Sequence, residues 1–255
     1  MKIIVLIKQV PDPEALVEIA ASGKDLNIEP KFAMNLFDEF AVEEALRIKE
    51  KHGGTVKIIS LGGPKAIEAL RTAIAMGADE ATLIEDEAFS KGDGYATALA
   101  LSAALKKETY DLILCGRQAI DADRGEVPQM IAEFLGLPHV GVVLKLDIAD
   151  GKATAESSLE GPTDVIEVDL PAIFTAQKGL NEPRVPLITG VMKAMKVQIP
   201  KLTIDDLGIG KDVRKTSVVR YLPHKKRPAV KLIEGEPAVA AAQMVRILAD
   251  VERVI

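Results

Sequence analysis

Residues 1–140 alternate short, continuous apolar runs with amphipathic segments, and this alternation constrains the fold more than any other feature of the sequence. Uninterrupted apolar runs are typical of parallel strands that are buried on both faces of a sheet. Strands that alternate with helices predict a doubly wound α/β fold with a mostly parallel sheet and right-handed crossovers. The predicted strands are Ile3–Ile7, Val56–Leu61, Ala81–Ile84 and Asp111–Cys115, and the predicted helices are Asp38–His52, Pro64–Met76, Gly94–Lys107 and Glu126–Leu135.

The pattern changes after Pro138. Shorter β segments follow, and turn residues such as Asp150-Gly151 and Gly161-Pro162 separate them. This spacing predicts hairpins that form an antiparallel extension of the sheet, within a first domain that spans residues 1–176. The predicted β segments are Val140–Asp147, Ala153–Ser158, Val165–Asp169 and Ala172–Thr175.

The remaining residues have weaker periodicity and contain many Pro, Lys and Arg. Residues 177–196 form a predicted loop, and loops of this length are usually functional or disordered. Residues 197–255 form a predicted C-terminal arm that ends in a helix over Pro237–Val254. The helix carries an apolar stripe, which needs either this chain's own domain or another chain as its partner surface. The stripe consists of Val239, Met244, Ile247, Leu248 and Val251.

Composition excludes several classes of function. A net charge of −6 argues against a nucleic-acid surface, because such a surface needs clustered positive charge. No apolar run approaches the ~20 residues of a membrane-spanning helix. The single cysteine, Cys115, rules out a disulfide framework and a cysteine-rich metal site, and it indicates a reducing, cytoplasmic setting.

Catalytic and metal-binding constellations are also missing from the sequence. His52, His139 and His224 lie far apart in the chain, and no Gly-x-Ser-x-Gly elbow, Walker A motif or Gly-x-Gly-x-x-Gly fingerprint is present. Asp121 and Asp123 lack the further oxygen ligands that a cation needs, so a structural role is favoured for them. We therefore predict no catalytic residue and no metal site in this chain.

One segment has the properties of a ligand site. Residues 115–128 leave a predicted central strand and enter a predicted helix, which is where open α/β sheets bind ligands. We expect a crevice flanked by Leu6, at the end of the first strand, and by Gly116. Gly116 and Gly125 permit a close backbone approach, and Arg124 together with the helix N-terminus is suited to a phosphate.

Several stretches of the sequence resemble the β (small) subunit of electron transfer flavoproteins. The resemblance covers nearly the whole chain in the family's order, and the motifs together are highly specific. The stretches are Lys8–Asp12 (KQVPD), Asn35–Arg47 (NLFDEFAVEEALR), Gly116–Asp123 (GRQAIDAD) and Gly179–Arg184 (GLNEPR) with Val191–Ala194 (VMKA), and Ala75–Asp79 (AMGAD) adds support.

The resemblance implies a Rossmann-like, adenine-nucleotide-binding subunit of an αβ heterodimer, which carries electrons from dehydrogenases to an acceptor such as a quinone reductase. It implies an FAD shared with the α subunit and a second adenine nucleotide in the β subunit: AMP in ordinary members, FAD in electron-bifurcating ones. A helix cap is a further role for Asn35. The implied nucleotide contacts are Leu6, Asn35, Leu36, Phe37, Asp38, Leu61, Gly116, Arg117, Gln118, Ala119, Ile120, Asp121, Ala122, Asp123, Arg124, Gly125, Glu126 and Val127.

Departures from the family pattern bear on which nucleotide the β site holds. Leu36 stands where ordinary members have Pro, and residues 124–128 (RGEVP) replace the Thr-Ala-Gln-Val-Gly of flavin-carrying members. Asp93 and Thr97 match the segment that members with a second FAD use beside its pyrophosphate, although Gly94 replaces the usual Thr. We therefore favour FAD slightly over AMP, and a helix cap is the alternative role for Asp93.

Three functions remain open at this point. The main hypothesis is an electron carrier subunit without catalytic residues of its own. The second is a component of an electron-bifurcating flavoprotein that oxidises NADH at a β-bound FAD. The third is a stand-alone module that binds an adenine nucleotide, which would need neither the 177–196 segment nor the apolar C-terminal helix.

The segment Lys178–Lys193 matches the family's recognition loop, which inserts one apolar anchor into a pocket on the dehydrogenase. The resemblance implies that the anchor is Ile188, with Leu187 beside it. From the residues alone a core position is favoured for these two side chains, and from the family an exposed anchor. Pro183 and Pro186 would stiffen the loop and lower the entropic cost of docking.

Overall fold

The structure is a computed structural model that describes residues 1–90, 92–158, 161–210, 213–224 and 229–255. The chain divides into two compact units, Met1–Arg220 and Tyr221–Ile255. The first unit is built on a nine-stranded sheet. Its strands are β1 (Lys2–Ile7), β6 (Thr55–Leu61), β7 (Glu80–Ile84), β8 (Leu112–Gly116), β9 (His139–Ala149), β10 (Lys152–Ser158), β11 (Thr163–Asp169), β12 (Ala172–Ala176) and β13 (Lys201–Leu202). They lie in the order β11-β10-β9-β12-β8-β1-β6-β7-β13.

Parallel pairing dominates the sheet. Strand β1 pairs in parallel with both β6 and β8, so the chain first builds β1, β6 and β7 on one side and then crosses to the other side with β8. Only the pairs that β10 makes with β9 and with β11 are antiparallel among the described strands of this sheet. The reversal between β1 and β8 is the topological switch point of a doubly wound sheet, and the predicted fold class is confirmed.

Helices cover both faces of the sheet. The helices of the first unit are α1 (Leu36–His52), α2 (Ile67–Met76), α3 (Gly94–Leu105), α4 (Val127–Leu135), α5 (Ile188–Lys196) and α6 (Ile204–Leu207), with 3₁₀ turns at Pro64–Ala66 and Glu87–Phe89. Alternate side chains of β1 enter different cores: Ile3 and Val5 lie in a cluster with α1 and α2, whereas Ile4 and Leu6 lie in a cluster with α3 and α4. This explains the uninterrupted apolar run, because each face of the strand is buried.

Strand β12 corrects one prediction. We assigned Ala172–Thr175 to the antiparallel extension, but β12 lies inside the sheet and pairs in parallel with β8 and β9. All five of its residues are buried, because a helix-covered sheet continues on both faces at this point. The antiparallel extension therefore consists of β9, β10 and β11.

Two further segments differ from the predictions. Residues 177–196 were predicted as a loop, but the second half of the segment is helix α5. The sequence analysis also missed two small antiparallel ladders between β1 and α1. These pair β2 (Gln9–Pro11) with β5 (Phe32–Met34), and β3 (Val17–Ile19) with β4 (Leu26–Ile28).

The second unit contains α7 (Pro237–Arg246), which continues as a π-helical turn over Ile247–Val251. The predicted helix over Pro237–Val254 is thus present in most of its length. Among the residues that the structure describes, no helix combines the length and the apolar character needed to cross a membrane.

Candidate functional site

The segments that were predicted to flank a crevice lie at the carboxyl ends of the strands on either side of the switch point. Leu6 is paired with Cys115 of β8 on one side and with Ile59 of β6 on the other, and it is almost fully buried. Leu61 ends β6 beside Ile84 of β7. The loops that follow β1, β6 and β8 therefore emerge at one edge of the sheet, which is the edge where α/β folds bind ligands.

Asn35 connects the start of α1 to the loop after β8. Its side chain is 1 % exposed; Nδ2 donates to the carbonyl of Gln118 at 2.9 Å, and Oδ1 accepts the N–H of Ile120 at 3.0 Å. Asn35 occupies the N-cap position of α1, but its side chain makes no capping hydrogen bond, so the predicted cap role is wrong. The amide is used instead to fix the conformation of the loop.

Asp38 performs a similar role for the strand ends. Its carboxylate accepts the N–H of Lys8, just past β1, at 2.7 Å and the N–H of Gly116, the last residue of β8, at 2.9 Å. The residue is 5 % exposed. Burial raises the pKa of this carboxyl to about 7, although the N–H groups of Lys8 and Gly116 oppose the increase. One buried side chain thus holds two neighbouring strand ends together, and we call Asp38 with its partners Lys8 and Gly116 the brace of the strand ends.

Gly116 is packed against the chain itself. A Cβ at this position would overlap Asp38 Oδ1 and would lie 2.7 Å from Phe37 Cβ. We predicted that the glycine lets a ligand approach closely, but the space in front of its Cα is filled by the first turn of α1. The glycine is therefore required for helix packing, and its nucleotide contact stays a prediction.

Charged side chains of the loop are mostly paired with one another. Lys8 Nζ lies 2.7 Å from an Asp121 carboxylate oxygen, in agreement with the structural role predicted for that aspartate. Arg117 packs over the ring of Phe37, with 5.5 Å between its guanidinium carbon and the ring centroid. Arg124 lies 3.4 Å from Glu126. An anion bound here would have to compete with Asp121 and Glu126 for these cations.

The turn of the loop has the backbone that a tight connection needs. Gln118 donates a side-chain hydrogen bond to Asp123, whose φ is 56°, and Gly125 has a φ of 60°. These values lie in the left-handed region that glycine adopts most easily. Ala119 accepts the N–H of Ala122 at 3.3 Å and that of Asp123 at 2.8 Å, which closes the turn.

Helix α4 follows directly. Val127 is its first residue; Pro128 has no N–H and the N–H of Met130 donates to the carbonyl of Glu126, which leaves the N–H groups of Val127 and Gln129 as the donors of the first turn. Such N–H groups and Arg124 suit a phosphate, whereas the Glu126 carboxylate opposes one. The residues present therefore fit an adenine nucleotide if the Glu126 side chain turns away from the phosphate.

The second predicted segment, at the start of α3, lies against this loop. The Glu126 side chain occupies the space in front of Gly94, where a Cβ would overlap it. Asp93 caps α3 by accepting the N–H of Ala96 at 2.9 Å, so the alternative role predicted for Asp93 is observed. Thr97 lies half-buried one turn further along α3.

Asp93 has further partners. One of its oxygens accepts the N–H groups of Lys215 and Thr216 at 2.7 and 2.6 Å. Partial burial of Asp93 opposes ionisation, but these N–H groups and that of Ala96 outweigh it and lower the pKa to about 2. The carboxylate is therefore ionised, and it is committed to the helix and to the 215–216 backbone.

The predicted docking residues are exposed. Leu187 precedes α5 and is 74 % exposed, and Ile188 is the first residue of the helix and is 80 % exposed. Their burial in the core, which the residues alone favoured, is therefore wrong. Leu36, at the start of α1, is also largely exposed, while Phe37 is half-buried.

Lys8 is the site residue that sequence reasoning missed. Its N–H binds Asp38 and its ammonium binds Asp121, so it joins the brace of the strand ends to the loop. The only signal in the sequence was its place at the start of the Lys8–Asp12 motif, directly after the first strand.

The doubly wound sheet, with the loops after β1, β6 and β8 at its switch point, defines a Rossmann-like α/β domain. A family model described as the electron transfer flavoprotein domain matches residues 28–207. The chain is 39% identical to an electron transfer flavoprotein subunit beta of Bacillus subtilis over 100% of both chains. A subunit beta of Thermoanaerobacterium thermosaccharolyticum is 48% identical over 83% of this chain and 82% of its own.

The chain belongs to the electron transfer flavoprotein family, among the β subunits, as the sequence motifs predicted. A further relative, 37% identical over 92% of both chains, is subunit CarD of a caffeyl-CoA reductase-Etf complex of Acetobacterium woodii. The family name connects the chain with flavin and with electron transfer.

Proposed function

We propose that this chain is the β subunit of a heterodimeric electron transfer flavoprotein, which accepts electrons from dehydrogenases and delivers them to an acceptor such as a quinone reductase. The observation that carries the proposal is the full-length similarity to a subunit beta at 39% identity. FAD, shared with the α subunit, supplies the redox chemistry, and the protein supplies binding and orientation.

The crevice around the 116–127 loop is the site that we assign to a second adenine nucleotide. Support comes from its place at the switch point, from the N–H groups at the start of α4 and from the two buried side chains, Asn35 and Asp38, that fix its walls. In this assignment Asn35 and Asp38 position the loop, and the loop backbone with Arg124 faces the phosphate.

FAD and AMP remain the two candidates for that nucleotide. The proximity of the loop to the start of α3, seen where Glu126 contacts Gly94, favours FAD, because a dinucleotide is long enough to contact both segments. FAD in this position would make the protein a bifurcating flavoprotein that oxidises NADH. The ionised Asp93 and the Glu126 carboxylate favour the smaller AMP instead, because both would repel a pyrophosphate placed between them.

Nucleotide content of the purified αβ complex tests these assignments. Acid extraction followed by chromatography should yield one FAD and one AMP per heterodimer for the ordinary carrier, and two FAD for the bifurcating form. A chain that purifies alone, with an adenine nucleotide and without flavin, would contradict the carrier assignment and support the stand-alone module.

We also propose that Leu187 and Ile188 dock on the dehydrogenase. Their exposure at the start of α5 supports this, since side chains that are 74 % and 80 % exposed contribute little to the core. Truncation of an interface anchor typically costs about 2 kcal/mol, which is roughly 30-fold in affinity.

Ile188→Ala should therefore raise the dehydrogenase concentration for half-maximal electron transfer by roughly 30-fold, while thermal stability and flavin content stay nearly unchanged. Val165→Ala is the matched control, because Val165 is an exposed aliphatic residue on β11. An equal effect of both variants on the kinetics would contradict the docking assignment.

A further inference from the structure

The segment between β12 and α5 is fastened to α1 by a buried amide. Asn181 lies five residues after β12, and its Nδ2 donates to the carbonyl of Phe40 at 3.0 Å and to Glu44 Oε2 at 2.9 Å. Both partners belong to α1. Asn181 is itself buried, so this contact fixes the start of the exposed segment on the surface of the helix.

Arg184 makes a second and stronger attachment. Its Nε donates to Glu43 Oε2 at 2.8 Å and its second nitrogen to Glu43 Oε1 at 3.1 Å, so the two side chains form a bidentate pair. A further nitrogen donates to Glu50 Oε1 at 2.6 Å. The guanidinium thus lies between two carboxylates that are seven positions apart on α1, and this geometry suits arginine specifically.

The two glutamates that bind Arg184 stay ionised at neutral pH. Burial alone would raise the pKa of the Glu43 carboxyl, but hydrogen bonds from Arg184 and Arg47 outweigh it and lower the pKa. The hydrogen bond from Arg184 also lowers the pKa of Glu50. Glu43 is buried while Arg184 is one-third exposed, so the pair is protected from solvent on the helix side.

A third attachment lies on the other side of the docking residues. Gly190 packs so closely on α2 that a Cβ would overlap the carbonyl oxygen of Ala75, and Ala194 is buried in the core beside it. Leu187 and Ile188 therefore lie between two attachments of the segment: Arg184, which is bound to glutamates of α1, and Gly190, which packs on α2. Holding an exposed anchor in one conformation before binding lowers the entropic cost of docking.

We propose that Arg184 and Asn181, through Glu43 and Glu44 of α1, are positioning residues that hold Leu187 and Ile188 in the conformation that docks on the dehydrogenase. The inference rests on the proposed function of those two residues. A positioning role differs from a merely structural role in what a variant changes. Weakening the attachment of the segment to α1 should lower the affinity for the dehydrogenase more than it lowers the stability of the fold.

Glu43→Gln in the full αβ complex is the test, with Arg184→Lys as a second variant that keeps the charge but loses the bidentate geometry. Glu156→Gln is the matched control, because Glu156 forms an ion pair with Lys145 on the remote antiparallel strands. The first readout is hydrogen exchange of the peptides that cover 178–187. The second is the concentration of a purified flavin dehydrogenase, chosen because it reduces the wild-type complex, that gives half-maximal electron transfer.

We expect exchange in 178–187 to become about tenfold faster in both variants, as for the loss of a charge-assisted hydrogen bond. The half-saturating dehydrogenase concentration should rise severalfold, while the maximal rate and flavin content stay unchanged. Glu156→Gln should change neither readout.

Unchanged exchange in both variants would overturn the inference. Faster exchange with an unchanged half-saturating concentration would also overturn it, since the attachment would then serve the fold alone. If Glu43→Gln lowers the flavin content of the complex, the exchange and the half-saturating concentration of the Arg184→Lys variant decide whether the inference holds. Ile188→Ala distinguishes a failure of this inference from a failure of the docking assignment. If Ile188→Ala raises the half-saturating concentration while Glu43→Gln and Arg184→Lys do not, this inference fails and the docking assignment stands.

Discussion

Asp38→Asn tests whether the brace at the strand ends contains a buried carboxyl with a raised pKa. The wild-type carboxylate accepts two backbone N–H groups, from Lys8 and Gly116. At pH 5 the wild-type carboxyl is protonated, but its hydroxyl oxygen still accepts an N–H. An asparagine has the same shape, but its amide nitrogen cannot accept and would face one of those N–H groups. An unsatisfied buried donor costs about 1–3 kcal/mol, so the variant should be less stable than wild type at pH 5.

The difference should depend on pH in a defined direction. Burial raises the pKa of the folded Asp38 carboxyl to about 7, from 3.8 in the unfolded chain. Between these values the unfolded chain has lost a proton that the folded chain keeps, so wild-type stability falls as pH rises towards 7 and levels off above it. The full effect corresponds to about 4 kcal/mol, of which about 2.5 kcal/mol falls between pH 5 and pH 8.

Thermal unfolding of the αβ complex at pH 5, 6, 7 and 8 measures the effect. The quantity to compare is the unfolding midpoint of the Asp38→Asn variant minus that of wild type at each pH. It should move in favour of the variant by about 5–10 °C over this range. Asp164→Asn, an exposed change of the same charge on β11, controls for net charge. A midpoint difference that stays constant from pH 5 to pH 8 would refute the reasoning.

Two further changes probe the crevice and the subunit contact. Gly116→Ala should lower the unfolding midpoint, because its Cβ would overlap Asp38 Oδ1 and crowd Phe37, and overpacking of this kind typically costs about 1–3 kcal/mol; a variant as stable as wild type that loses its nucleotide would show instead that Gly116 faces the ligand. Deletion of residues 237–255 should weaken co-purification with the α subunit, because exposed Val239 and Val251 on this segment suit an apolar interface; an equally stable truncated heterodimer would remove α7 from that interface.

Much of the fold could be predicted because the central strands are buried on both faces. Strand β8 is buried at all five positions, and its apolar run is visible in the sequence without interruption. Strand β12 is equally buried, but its run is short and follows Pro171, and a run of residues does not reveal which strands become its neighbours. Strands of three residues, such as β3 and β4, are too short to show any periodicity.

The place of the 116–127 loop at the carboxyl ends of the strands was predicted from the sequence, but the contacts that hold the loop were not. The strand–loop–helix pattern of residues 115–128 indicates a ligand edge in any doubly wound sheet. The bonds from Asn35 to Gln118 and from Asp38 to Gly116 join residues that are far apart in the chain, and nothing in the local pattern announces them. The motif resemblance brought the two stretches together and implied ligand contacts for them; the structure adds contacts within the chain, and the ligand contacts stay predictions.

Helix α1 shows why the intrachain contacts of its acidic residues could not be predicted from the sequence. Its Asp38, Glu43 and Glu44 are buried, although a charge pattern alone would place such residues on a solvent-exposed face. Asp38 is buried because it accepts strand-end N–H groups, and the two glutamates because Arg184 and Asn181 bind them. At 1.5 Å per residue, only about 8 Å of helix separates the crevice brace from the attachment of the docking segment. One short helical stretch therefore sets the geometry of both, and a change that shifts α1 should disturb nucleotide retention and dehydrogenase docking together.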